Sequence, residues 1–319
     1  MKRAALSFSS TNIGDDMQSL AAELHLDRVD RFIDRDALGQ VTLDEAHACI
    51  MAAWFTRGPL DQLPPDALHP LFFGFCAGLP NQMEGPWLKY LRAHSARAPL
   101  GVRDLATVEW LHGHGVAAEW SGCLTLFAGR RIAGYRDGPR KGVLLVDIDE
   151  ETEAAWLSPE LRETAERVTN HISRGRADDV ALRRASLLTL VDRMASAEAV
   201  ITQRLHIALP CIGLGTPVYA LPDPRIGFAE SRFSGFDSFV PLSYVDEVPR
   251  QITRADCRVP RLPPELEQRY QTFLAALEQL GILGDPAHTA QRFATELAQI
   301  HTTLSPLPAP PPSTAPGEV

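Results

Sequence analysis

The segment Gly142-Val-Leu-Leu-Val-Asp-Ile-Asp149 limits the fold more than any other part of the chain. Val143 to Val146 are four consecutive apolar residues with no polar face. A glycine and an aspartate bound them. Such a run fits a strand covered on both sides, as in a parallel sheet flanked by helices. Ala199-Val-Ile-Thr202 and Thr216-Pro-Val-Tyr-Ala-Leu221 repeat the signal, and helical stretches over about 180–196 and 204–213 separate the three. The first half alternates in the same way. It reads as a strand over 4–9, a turn at 10–16 and a helix over 17–26, then strands over 47–55 and 69–76 around a proline-rich turn at 59–65. A helix over 87–94, a strand through 98–104, a helix over 105–112 and a strand near 117–125 follow. Helices over 158–170, 264–280 and 286–300 complete the pattern, which predicts an α/β protein with parallel layers.

The length of 319 residues suits two domains. The glycine- and arginine-rich stretch 129–142 is the best boundary, giving domains over 1–135 and 136–304. Residues 305–319 are proline-rich, cannot build a core, and are expected to be an extended tail. A net charge of −9 argues against a nucleic-acid coat or a polybasic membrane binder. The basic residues are nearly all arginine, with Lys2, Lys89 and Lys141 the three lysines. An anion clamp would therefore be built from guanidinium groups and backbone N–H donors. Cys49, Cys76, Cys123, Cys211 and Cys257 are scattered without a C-x-x-C pair, as expected of reduced core thiols. The first residues lack a signal-peptide apolar region, and there is no apolar run of about 18 residues. A cytoplasmic protein without a transmembrane segment is the expectation.

The chemistry concentrates in Ala199-Val-Ile-Thr-Gln-Arg-Leu-His206. A short β-branched strand delivers Thr202 to a helix start, so Arg204 and His206 fall in the first helical turn. Unpaired N–H groups and the helix dipole favour an anion there. The carboxyl ends of strands form the ligand crevice of an open α/β sheet. A capping arginine and a structural histidine would fit the same spacing equally well. Asp147 and Asp149 follow an apolar strand, where solvated acids are commoner than metal ligands. His112 and His114 read as a helix C-terminal turn, and no metal-ligand cluster is expected.

Four segments, in order, resemble the polysaccharide pyruvyl transferase family. They are "NIGDDMQSLAAELHL", "LGVRDLATVEWLHGHG", "EWSGCLTL" and "ITQRLHIALPCIGLGTPV". The resemblance implies two Rossmann-like domains in a GT-B-like arrangement with an inter-domain cleft. It also implies transfer of the enolpyruvyl unit of phosphoenolpyruvate onto a sugar hydroxyl pair as a pyruvate ketal, with no further cofactor. By the motif match, His206 and Asp15 are the catalytic pair, and Arg103, Arg204 and Leu205 bind the donor. Asn12, Gly14 and Arg232 are acceptor or cleft contacts. Gln203 stands where the family usually has serine, and Cys76 where relatives often carry histidine. Two alternatives stand beside this reading: glycosyl transfer from a nucleotide sugar, and a non-catalytic metabolite-binding protein of the same fold.

Overall fold

Two separate four-stranded sheets, every pairing in them parallel, organise the computed structural model. It describes residues 1–55, 63–77, 85–136, 138–225 and 229–303. The expected tail at 305–319 lies outside them.

The chain divides into two units. One comprises residues 1–10, 15–128 and 262–285; the other comprises 11–14, 129–261 and the chain from 286. The division is thus not a single cut near 129–142. Where the sequence predicts one domain over 136–304, residues 262–285 pack within the first unit.

In the first unit the sheet order is β2-β1-β3-β5. Its strands are β1 (Lys2–Ser7), β2 (Arg31–Asp34), β3 (His47–Ile50) and β5 (Leu68–Leu71), and helix α1 (Ile13–His25) connects β1 to β2. Two short parallel pairs accompany it, β4 (Trp54–Phe55) with β6 (Cys76–Ala77) and β7 (Leu100–Val102) with β8 (Ala118–Trp120). The continuous strands predicted over 47–55 and 69–76 are therefore broken. Helices α2 (Pro86–Ser95), α3 (Leu105–Gly113) and α4 (Thr125–Arg131) follow, and the strand predicted near 117–125 stops at Trp120. Gly122 takes φ 69° there, and the chain turns into α4.

The sheet of the second unit runs β10-β9-β11-β12. Its strands are β9 (Val143–Val146), β10 (Glu166–Val168), β11 (Ala199–Thr202) and β12 (Val218–Ala220). Val143–Val146 and Ala199–Thr202 are buried throughout, as expected of central parallel strands. The predicted helix over 158–170 is instead α6 (Pro159–Thr164) followed by β10, after α5 (Glu150–Trp156). Ser158 caps α6 with Pro159 at its first position. As an edge strand, β10 buries Val168 and exposes Glu166 and Arg167, so no apolar run announces it.

Helix α7 (Val180–Ser196) leads to β11, and α8 (Leu205–Gly213) leads on to β12. The backbone of Gly213 lies so close to Gly129 that a Cβ on Gly129 would collide with it. Glycine at 129 thus lets the chain pass the end of α8. Two later helices, α9 (Ala229–Phe233) and α11 (Pro286–Thr303), also belong to this unit. Helix α10 (Pro264–Gln279) belongs to the first, where Tyr270 stacks on Phe127 with ring centroids 4.0 Å apart. Among the described residues, no helix is long and apolar enough to cross a membrane.

Candidate functional site

The carboxyl ends of β9, β10 and β11 gather the polar side chains of the second unit. Asp147 follows β9, Asn170 and His171 follow β10, and Arg204 and His206 follow β11. The parallel order β10-β9-β11 makes these three ends adjacent. This is the edge at which open α/β sheets take ligands.

Thr202, fully buried, shapes the end of β11. Its hydroxyl donates to the Val146 carbonyl at 3.0 Å and accepts the Arg204 N–H at 3.0 Å. Arg204 then occupies the N-cap of α8, with extended backbone and no side-chain cap. Pro210 lies inside α8, four residues after His206. A proline has no N–H for the carbonyl four residues earlier, and its ring crowds that carbonyl. The backbone at His206 accordingly leaves the helical range, with ψ 17°. Proline thus sets off the first turn, the part that carries Leu205 and His206, from the rest of the helix.

Arg204 is held on one side. Its Nε donates to Asp147 Oδ2 at 3.1 Å, and its side chain is 31% exposed against 10% for Asp147. His171 Nε2 lies 3.9 Å from the same carboxylate oxygen. Asp147 is thus an arginine partner, not a solvated acid. Asp149 caps α5 instead, accepting from the Thr152 N–H and hydroxyl at 2.8 Å each, and from Gln203 Nε2 at 3.1 Å. Desolvation alone would raise its pKa, but these donors outweigh it and hold the carboxyl below its ordinary range.

His206 is buried and faces the turn 11–14. Asn12 Oδ1 accepts from the Gly14 N–H at 2.8 Å and from Asn170 Nδ2 at 3.0 Å. The Ile13 N–H donates to the Asn170 carbonyl at 2.9 Å. A Cβ on Gly14 would sit 2.8 Å from Asn12 Oδ1 and 3.2 Å from His206 Cβ. Asn12 and Gly14 thus pack against Asn170 and His206. Asn170 and His171 are the residues that sequence reading misses. Only the pairing of β10 with β9 brings them here, and that strand carries no apolar signal.

A cavity beside Arg204 is lined by Gln203, Leu205, Asp223, Arg232 and Phe233. Arg232 therefore joins Arg204 and Leu205 at one opening. Asp223, buried, accepts from Arg225 Nε and Nη2, each at 2.9 Å.

The other two predicted residues belong to the first unit. Arg103 is fully buried at the end of β7. Its Nε donates to Asp104 at 3.2 Å and its Nη2 to Cys76 Sγ at 2.8 Å, while Nη1 has no partner among the described residues. Burial pushes the Cys76 thiol up, and Arg103 only partly opposes this, so Cys76 is a neutral neighbour. Asp15 is buried and accepts from the Ser10 hydroxyl at 2.7 Å.

The polysaccharide pyruvyl transferase family model matches residues 72–223. The match supports the family resemblance and spans Arg103, Arg204, Leu205 and His206, but not Asn12, Gly14, Asp15 or Arg232. No curated protein is a significant match. Among solved structures, the chain is similar to a functionally uncharacterized protein from Klebsiella pneumoniae subsp. pneumoniae NTUH-K2044. The two share 13% identity with a TM-score of 0.41, over 77% of this chain and 93% of that one.

Proposed function

Because residues 72–223 match the polysaccharide pyruvyl transferases, a transferase family, we propose that this protein moves a pyruvyl unit from phosphoenolpyruvate to a saccharide. The observation that carries the reading is the second unit's strand-end cluster. There Arg204, oriented by Asp147, and a buried His206 share one helical turn. Arg204 clamps the carboxylate or phosphate of the donor, and the first-turn N–H groups of α8 add donors. Two Rossmann-like domains in a GT-B-like arrangement, and a role for Arg103 on the same donor, are part of this proposal.

His206 acts as the proton source, protonating the enol methylene to a methyl and leaving C2 electrophilic. One sugar hydroxyl adds to C2, phosphate departs with the electron pair of the C2–O bond, and a second hydroxyl closes the ketal. Of the two hydroxyl protons, one balances the new methyl and one leaves with phosphate. Asp15 receives the acceptor proton or orients the acceptor side, and Asn12, Gly14 and Arg232 complete the site. No metal is required, so a chelator leaves turnover intact.

The test is phosphate release from phosphoenolpyruvate with a panel of saccharide diols, with the ketal methyl identified by NMR. Losing a charged contact to a buried anion costs about 2–4 kcal/mol, or roughly 30- to 1,000-fold. Arg204→Ala and Arg103→Ala should weaken donor binding by that order, and His206→Gln should mainly lower turnover. Consumption of a nucleotide sugar in place of phosphoenolpyruvate would overturn this donor in favour of glycosyl transfer. Unchanged donor binding in both arginine variants would remove the clamp.

A further inference from the structure

Asp147 combines two features that occur together nowhere else among the described residues. It takes φ 49°, a left-handed backbone that no other described non-glycine residue adopts. Its carboxylate also accepts the one side-chain hydrogen bond that Arg204 makes among the described residues, from Nε to Oδ2 at 3.1 Å. Left-handed backbone is unfavourable for residues with a Cβ, and aspartate tolerates it better than most. Glycine would adopt it more easily, so the backbone alone gives no reason for a carboxylate here. Two bonds fix Asp147, one at its backbone and one at its carboxylate. The Asp147 N–H donates to the Val168 carbonyl at 3.1 Å, and the Asn170 N–H donates to Oδ2 at 3.4 Å. Both bonds tie Asp147 to β10 and the turn after it, elements independent of α8.

Held through Nε, Arg204 has no protein acceptor for either terminal nitrogen among the described residues. Arg204 also lines the cavity that it shares with Gln203, Leu205, Asp223 and Arg232. A guanidinium fastened at Nε and open at both Nη groups is arranged for two-point contact with a carboxylate or phosphate. We infer that Asp147 is a positioning residue, which holds the Arg204 fork in its anion-binding orientation without itself touching the anion. The inference rests on the proposed donor site, and it assigns that site a residue outside the arginine–leucine–histidine segment. Among the described residues, His171 is the other side chain near this carboxylate, 3.9 Å from the same oxygen.

The experiment compares wild type with Asp147→Gly, Asp147→Asn and Arg204→Ala in the full chain. Glycine keeps the left-handed backbone and removes the acceptor. Asparagine keeps a neutral acceptor and tolerates the same φ. A hydrogen bond to a charged group supports an effect of about 10- to 100-fold. KM for phosphoenolpyruvate should rise by that factor in Asp147→Gly, more than kcat falls. Asp147→Asn should lie between it and wild type. A merely structural aspartate would lower the melting temperature and leave KM of the folded fraction unchanged, and that result overturns the inference. A second readout does not depend on the donor. The Arg204 Nε–H, assigned by its loss in Arg204→Lys, should be protected from solvent exchange in wild type and unprotected in Asp147→Gly. If wild type fails to use phosphoenolpyruvate, the functional reading falls, and the exchange result alone decides for or against Asp147. If Asp147→Gly does not fold, Asp147→Asn carries both measurements.

Discussion

Replacing Gly14 by alanine should destabilise a helix start where alanine is ordinarily favoured. The residue is the second of α1, and a glycine in a helix costs about 1 kcal/mol relative to alanine. Propensity therefore predicts a gain. Packing predicts a loss, because the new Cβ would sit 2.8 Å from Asn12 Oδ1 and 3.2 Å from both Asn170 Nδ2 and His206 Cβ. An ordinary contact is near 3.5 Å. Asn12 cannot swing aside without giving up its bonds from the Gly14 N–H and Asn170 Nδ2. At about 0.5–1.5 kcal/mol each, those bonds sum to about 1–3 kcal/mol. Forcing extra volume into a packed site adds about 1–3 kcal/mol. After the propensity gain, the net loss is about 3 kcal/mol, with a range of about 1–5. Urea unfolding of Gly14→Ala against wild type measures it. Gly113→Ala serves as the control, since a Cβ there meets nothing within 4 Å and its φ is not positive. That variant should match wild type or gain up to about 1 kcal/mol. Removing the Asn12 side chain should relieve the clash, so Asn12→Ala with Gly14→Ala should cost less than the two singles summed. A Gly14→Ala protein as stable as wild type would refute the reasoning.

Two further outcomes follow from ionisation. Arg184 bonds Glu296 at 2.7 and 2.9 Å, and these bonds, against desolvation, hold the Glu296 carboxyl below its usual range. A depressed folded pKa stabilises above the unfolded value, near about 4.3, and the stabilisation is lost as pH falls through the folded value. Glu296→Gln should therefore cost under about 1 kcal/mol near neutrality, because the pair is a third exposed, and nothing in strong acid. Unfolding midpoints across that range read it, and a cost that persists in acid contradicts it. All five cysteines are buried, and burial pushes Cys49 and Cys257 up to about 12. A thiol reagent at neutral pH should modify none of them quickly in native protein and all five after denaturation. One fast thiol would refute the assignment of all five to the core.

The legible parts of the fold are those whose signal is local. Val143–Val146 and Ala199–Thr202 read as buried strands because every side chain is apolar or capped, and the structure buries all eight. Edge strand β10 was not legible, since two of its three residues face solvent, and with it went Asn170 and His171. In the site, Arg204 and His206 were legible from a strand running into a helix. The partner of Arg204 was not, because an aspartate after an apolar strand looks alike whether solvated or paired. The bond between Asn12 and Asn170 spans 158 residues, a separation that no local pattern reports.

Residues 262–285 belong to the first unit although about 130 residues of the second precede them in the chain. In that segment Tyr270 stacks on Phe127 and bonds His25 Nε2 at 3.0 Å, and Phe273 packs on Phe73 with centroids 4.6 Å apart. During synthesis at about 5–20 residues per second, Phe73 and Phe127 are made many seconds before these partners exist. The newborn first unit therefore carries an uncovered aromatic surface until residues 262–285 have left the ribosome. Its completion waits on the synthesis of residues 129–261, which it does not itself contain.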